Sequence, residues 1–278
     1  MKKTFSFSIR FFSVMIILLF TATLHAQIRG NGIIEEQNRD LSGFNAITST
    51  GPVDVFVKQG NTFSVVVRAD DNVINYIKTE VKNNTLLVSV TRNIWRAKTL
   101  QVHVTMKNLQ KVVLSGSGDF FCKTPFTTRN LQFILTGSGD AKASLNTKNA
   151  QVKVAGSGNV EITGIRGDLI IEVNGSGDVE ASGLQLENCN LKSAGSGDVE
   201  LKGRAVTLTA VSAGSGDIEA GGLTAVNVSI KNMGSGDVQV HATDRLEATL
   251  AGSGDLYYSG NPPVLKVRTI GSGDVYHK

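Results

Sequence analysis

The sequence is poor in the residues that most often carry chemistry: its 278 residues include only 2 Cys, 4 His, 4 Pro and 1 Trp. Beyond residue 26 the histidines are His103, His241 and His277, far apart in the chain and outside any cysteine cluster. Neither a metal-ligand set nor a nucleophilic triad is legible in that distribution. The lone tryptophan, Trp95, is poor material for a broad carbohydrate platform. Few prolines against 30 glycines, with apolar residues plentiful, favour many turns inside a regular structure over disorder. A charge excess is missing as well. The whole chain carries +4, but three of its 28 Lys and Arg (Lys2, Lys3, Arg10) precede Gln27, leaving 25 against 24 Asp and Glu, a net +1. That balance argues against a nucleic-acid or anionic-membrane partner.

Long apolar runs are missing too, save one. Phe11 to Phe20 is almost unbroken, follows the basic residues Lys2, Lys3 and Arg10, and leads to Leu24-His25-Ala26. This is the three-part form of a secretory signal peptide over residues 1–26, with Gln27 as the mature start. The run is shorter than the about 20 residues a membrane span needs. Leu24 is larger than the cleavage rule prefers, so an uncleaved N-terminal anchor is the alternative. No cysteine near the cleavage site could carry a lipid, and no later segment is long and apolar enough to span a bilayer. The mature chain is expected to be soluble and exported, to the periplasm, the outer-membrane surface or the medium.

What is present is repetition. Gly-Ser-Gly-Asp, or its Asn variant, begins at Gly116, Gly137, Gly156, Gly175, Gly195, Gly214, Gly234, Gly252 and Gly271, with spacings of 18 to 21 residues. Positions −6, −4 and −2 before each turn are mostly apolar, as in Leu131-Phe133-Leu135, Leu169-Ile171-Val173 and Leu246-Ala248-Leu250. The residue after each Asp is always apolar (Phe120, Ala141, Val160, Val179, Val199, Ile218, Val238, Leu256, Val275). Alternation on both sides makes each repeat strand, Gly-rich turn, strand, and no repeat has helical periodicity.

A unit of this size cannot bury its apolar face alone, whereas stacked copies build a continuous core. The expected fold is all-β: a right-handed parallel β-helix with repeats of about 19 residues. A chain of antiparallel hairpins is the alternative. Glycine would supply positive φ in the turn, Ser and Asp would cap nearby amides, and close coil stacking would favour small residues. In this register Cys122 shares an inward column with Ile162, Leu201 and Val240, and Cys189 shares another with Leu169 and Leu208. The two lie three or more coils apart, over ~14 Å, beyond disulfide reach of about 7 Å. Both are expected to be buried free thiols.

Residues 27–43 form an N-terminal segment, residues 44–114 a less regular β-region that caps the open edge, and residues 115–278 the repeat solenoid. Thr50-Gly51-Pro52-Val53-Asp54-Val55 reads as a degenerate turn. Val73, Ile74, Ile77 and Val81 have the spacing of one short amphipathic helix within Asp71 to Lys82. Several motifs here carry a resemblance: Phe44-Asn45-Ala46-Ile47, Gly51-Pro52-Val53-Asp54-Val55, Val57-Lys58-Gln59-Gly60, Asp70-Asp71-Asn72-Val73 and Ile77-Lys78-Thr79-Glu80-Val81. With the Gly-Ser-Gly-Asp repeats after them, they make residues 44–278 similar to the auto-transporter adhesin, head GIN domain family. The resemblance implies an exported β-helical protein of Bacteroides-type bacteria. It supplies no catalytic residues, and without a translocating barrel here the chain is not expected to be a complete autotransporter.

Two columns are candidate sites. Each turn Asp and the residue two later should face outward, giving Asp178/Glu180, Asp198/Glu200 and Asp217/Glu219, with Asn159/Glu161 just before. Charges stacked at about 4.8 Å repel unless neutralised. Turn amides and neighbouring lysines could do this, or the column could hold Ca²⁺ on its hard oxygens. Tyr257 and Tyr276 take the glutamate slot in the last two coils, with Tyr258 beside them. They either cover those coils or bind a sugar or protein partner. Gly-Ser-Gly is not the nucleophile elbow, and a uniform acidic column offers no single pair of differently tuned carboxylates. The expectation is a non-catalytic structural or adhesive protein binding a protein or glycan surface. An envelope structural or signalling module is the alternative, and a carbohydrate-active β-helix enzyme is third.

Overall fold

The computed structural model describes residues 28–278, so the leader read over residues 1–26 lies outside the described residues. Most coils from Phe120 onward are single bent strands, among them Phe120–Leu135, Ala141–Val154, Val179–Ser193, Val199–Ser212, Ile218–Asn232 and Val238–Leu250. Each coil pairs in parallel with the next, and Val160, Val179, Val199, Ile218, Val238, Leu256 and Val275 are successive partners. The chain is a parallel β-solenoid. Hairpins would need antiparallel pairing across each Gly-rich turn, and the pairing there is parallel throughout.

Burial follows the alternation: Leu169, Ile171 and Val173 are fully buried while Asp168 and Ile170 between them are exposed. Each buried Leu, Ile or Val side chain contributes about 1.5–3 kcal/mol, so the stacked columns are the main source of stability. One column turns polar partway along. The −2 slot holds Ser193, Ser212 and Asn232 in consecutive coils, all buried. Asn232 accepts from Gly234 N and donates to Gly236 O, but the Ser193 and Ser212 hydroxyls have no partner among the described residues. A buried unpaired hydroxyl costs free energy. Ser212→Ala should therefore stabilise the protein by about 1 kcal/mol, read as a raised midpoint in chemical denaturation.

The turn glycines serve stacking rather than backbone handedness. Positive φ falls on other glycines, such as Gly164, Gly183 and Gly260, and on none in the nine tetrapeptides. A Cβ on Gly137 would sit 1.9 Å from Gly116 O, one on Gly195 1.9 Å from Gly175 O, and one on Gly197 2.1 Å from Gly177 O. Those carbonyls accept the amides of the next coil, as in Ser196 N to Gly175 O at 3.0 Å. The turns therefore stack backbone on backbone. The positive-φ expectation is corrected, and close approach is what selects glycine.

Cys122 and Cys189 are buried free thiols. Cys122 pairs with Ala143, and that column runs through Ile162 to Ala181, whose coil contains Cys189. Three coil steps separate the thiols. Burial pushes the Cys122 thiol up to about 11 and that of Cys189 up to about 12, away from the reactive thiolate. Neither should be alkylated by iodoacetamide in the native protein at pH 8, and both should react in denaturant. Labelling counted by mass spectrometry checks this, and a bridge found without reductant would overturn it.

The N-terminal region continues the coil before closing it. Ala46–Ser49 and Asp54–Gln59 pair in parallel with Lys111–Leu114 and with the start of Phe120–Leu135. Gly51 and Val53 lie under Gly116 and Gly118, so this segment is a coil with a degenerate turn. Beyond it the pairing turns antiparallel: Ser64–Asp70 against Leu100–Met106, Ile34–Arg39 against Ser64–Asp70, and Ile77–Lys82 against Thr85–Val90. The expected helix over Asp71 to Lys82 is absent. Ile74–Tyr76 make one 3₁₀ turn, and Ile77–Lys82 is a strand that reverses through Asn83 and Asn84, at φ 49° and 58°. Consecutive positive φ values are what a two-residue hairpin requires. Val73, Ile74 and Ile77 still bury, so their spacing did mark a core contact but not its backbone. Asp70 pins this cap. Fully buried, it accepts from Gly32 N through Oδ2 and from Lys98 N and Thr99 N through Oδ1.

Candidate functional site

The aspartates of the turn form a ladder. Each Asp or Asn side-chain Oδ1 accepts the backbone N–H of its counterpart one coil on, from Asp54 and Asp119 through Asp178, Asp198 and Asp217 to Asp255 and Asp274, at 2.7–3.0 Å. Charge-assisted bonds of this kind meet the stacked carboxylates within the chain. Two residues on, Glu161 is paired with Lys142, and Lys202 reaches both Glu200 and Glu180, the latter at 3.6 Å. The coils of Asp178, Asp198 and Asp217 thus each present a second Asp oxygen beside a Glu carboxylate, whereas the second oxygens of Asp255 and Asp274 accept from the Tyr257 and Tyr276 hydroxyls. Among the described residues no group of three or more His, Cys, Asp or Glu converges as a metal-ligand set.

At the bottom of the ladder Asp54 is half-buried, and desolvation lifts its carboxyl above the usual range; the Asp119 amide works against this and the Asp119 charge adds to it. For an acid with a raised folded value, the stabilising contribution is present at low pH and lost as pH rises through that value. Asn159 shows that an amide side chain serves the same rung. Asp54→Asn should therefore raise the melting temperature at pH 7 and leave it unchanged near pH 3.

The glutamates belong to a longer row than the repeats reveal. Strand pairing places His103, Phe56, Phe121, Lys142, Glu161, Glu180, Glu200, Glu219, Gln239, Tyr257 and Tyr276 side by side on the outer face. At ~4.8 Å per step the row is about 48 Å long, acidic in the middle and aromatic at both ends. At the C-terminal end Tyr257 and Tyr276 stack with centroids 5.1 Å apart, and Lys278 Nζ lies 4.6 Å from the Tyr257 ring. Burial and the Asp255 charge raise the Tyr257 phenol, while the Asp274 and Asp255 charges raise that of Tyr276. Tyr258 does not join them. It pairs with Val240, an inward residue, and packs against the core.

At the other end Phe56 stacks on both His103 and Phe121 at 4.9 Å. This aromatic group was not legible in the repeats, because residues 47 and 65 positions away from Phe56 supply it through non-repeated pairings. A larger cavity of about 720 Å³ lies on another face, lined by side-chain amides including Gln110, Asn130, Gln132, Asn149 and Gln151. Gln132 Nε2 donates to Gln151 and Asn149 Nδ2 to Asn130, so these amides form ladders of their own. His241 Nδ1 contacts Ser259 Oγ at 2.8 Å, but among the described residues no carboxylate hydrogen-bonds to that ring.

A solenoid of stacked strands with long, regular, outward-facing side-chain rows defines a repeat-type surface-presenting protein. The chain belongs to the family described as "Putative auto-transporter adhesin, head GIN domain", whose model matches residues 43–202 and 191–262. Among solved structures, one described as a "putative adhesin" from Parabacteroides distasonis ATCC 8503 is similar at 27% identity and TM-score 0.70, over 91% of this chain and 100% of that one. One from Parabacteroides merdae ATCC 43184 is 25% identical with TM-score 0.68, over 91% and 99%. A third structure, named a "Putative lipid binding protein", from Parabacteroides distasonis ATCC 8503, is 25% identical with TM-score 0.61, over the same shares. None of the curated proteins matches the chain. No helix among the described residues is long and apolar enough to cross a membrane.

Proposed function

We propose that the protein is a non-catalytic, exported binding module of the cell surface, adhering to a protein or glycan partner through its outer row. The observation that carries this reading is the row itself: one uninterrupted line of outward side chains, acidic along its centre and aromatic at both ends, on a scaffold held rigid by stacked backbone. Such a surface suits many weak contacts repeated at coil spacing, which together give avidity. Membership of an adhesin family supports the same direction.

Protease shaving of intact cells, followed by immunoblot with a periplasmic marker, tests it. Loss of the protein while the marker survives is the expected result. Full protection would sink the surface reading.

A further inference from the structure

The N-terminal end of the outer row borders a groove of about 250 Å³ between the strands Asp54–Gln59, Ser64–Asp70 and Leu100–Met106 and the start of Phe120–Leu135. Its floor is a strip running from Phe121 over Phe56 and His103 to Val66, one residue from each of four adjacent strands. Its rim carries Lys58 and Lys123, each two residues beyond an aromatic on the same strand. Lys123 and Thr124, both in its lining, lie where the ladder with the next coil is interrupted, between Cys122 and Phe126.

We infer that this groove is a binding site for a small amphiphilic anion, a carboxylate on an acyl chain of medium length. Three features select that class. The rings lie face to face, tilted by only 13° and 20°, so they cover one another and offer the solvent a strip of ring edges. A flat sugar needs an open ring face, whereas a flexible chain can lie along a strip, and four strands at ~4.8 Å make it about 14 Å long. Second, the lining contains no carboxylate. Among the described residues neither Lys58 nor Lys123 makes an ion pair, while Lys142, Lys153, Lys202 and Lys266 all have glutamate partners. Asp54, on the far side of the aromatic row, is engaged by the Asp119 amide. Third, burial, then the Arg68 and Lys58 charges, hold the His103 ring below its usual basicity against an opposing effect of Glu36. The ring therefore stays neutral at pH 7, and the strip stays apolar.

Titration of the purified protein with decanoate tests the assignment, with decyltrimethylammonium and decyl glucoside as cationic and neutral probes of equal chain length. Decanoate should saturate at one per chain, shift the His103 ring resonances, and bind about ten-fold more tightly than either control. Lys58→Glu/Lys123→Glu, two changes at exposed positions, should abolish that preference at an unchanged melting temperature. Equal affinity of the parent protein for the three probes, an unmoved His103, or a preference for decanoate that survives the double substitution would overturn the site. The shaving experiment reports on location alone, so failure of one leaves the other standing.

Discussion

Gly195→Ala should cost about 3 kcal/mol or more, whereas Ser196→Ala beside it should be neutral within about 0.5 kcal/mol. The contrast follows from geometry. A methyl on Gly195 lands 1.9 Å from Gly175 O and 2.9 Å from its carbon, and both are backbone atoms that cannot swing aside. Relief requires lifting one turn off the other, which lengthens the Ser196 N to Gly175 O bond and strains the pairs on either side. Ser196 points to solvent and loses nothing. At the 2–4 °C per kcal/mol usual for a chain of this size, the glycine variant should melt about 10 °C lower. Near-identical melting of the two variants would show that the turns do not stack as described. Gly183, with φ 62° and nothing closer than 3.7 Å, is the control for backbone conformation alone. Alanine there should cost only about 1 kcal/mol.

Asp70→Ala should be the most damaging change in the cap, at about 3 kcal/mol, because it empties a fully buried site and takes the acceptor from three partly buried amides, those of Gly32, Lys98 and Thr99. The damage should stay local. Hydrogen exchange is expected to accelerate in Ile34–Arg39 and Ser64–Asp70 while the coils from Val179 onward keep their protection. Opening the cap uncovers the solenoid's first edge, so the variant should also aggregate more readily than the parent. Asp70→Asn, which retains one oxygen acceptor, should fall between the two. Uniform acceleration across all coils would mean that cap and solenoid unfold as one unit.

The repeat told most of the fold because the solenoid's geometry is itself a repeat. Once Val160, Val179 and Val199 are aligned as equivalents, parallel pairing, inward columns and the separation of Cys122 from Cys189 follow. The reason for the glycines was half legible. Sequence shows that glycine recurs, but not whether it is selected by its φ or by an atom from another coil. The stretch after Asp70 misled because Val73, Ile74 and Ile77 bury together around a single 3₁₀ turn as they would in an α-helix, and the two asparagines that reverse the chain come later. The Phe56–His103–Phe121 group was hidden because its members meet by pairing across the cap, where no period exists to align them. The polar run of Ser193, Ser212 and Asn232 was visible in the column, but its burial without partners for the serines needed the structure.

The stacking of backbone on backbone also sets how the molecule responds to load. Its strands lie across the solenoid axis and its interstrand bonds along it, so tension between the two ends pulls those bonds open one coil at a time, as a zipper yields. Each coil released frees about 19 residues, ~65 Å of extended chain, and its neighbours are left paired as before. Extension should therefore proceed in steps of about one coil at a low, nearly constant force, rather than in one abrupt rupture of the whole molecule.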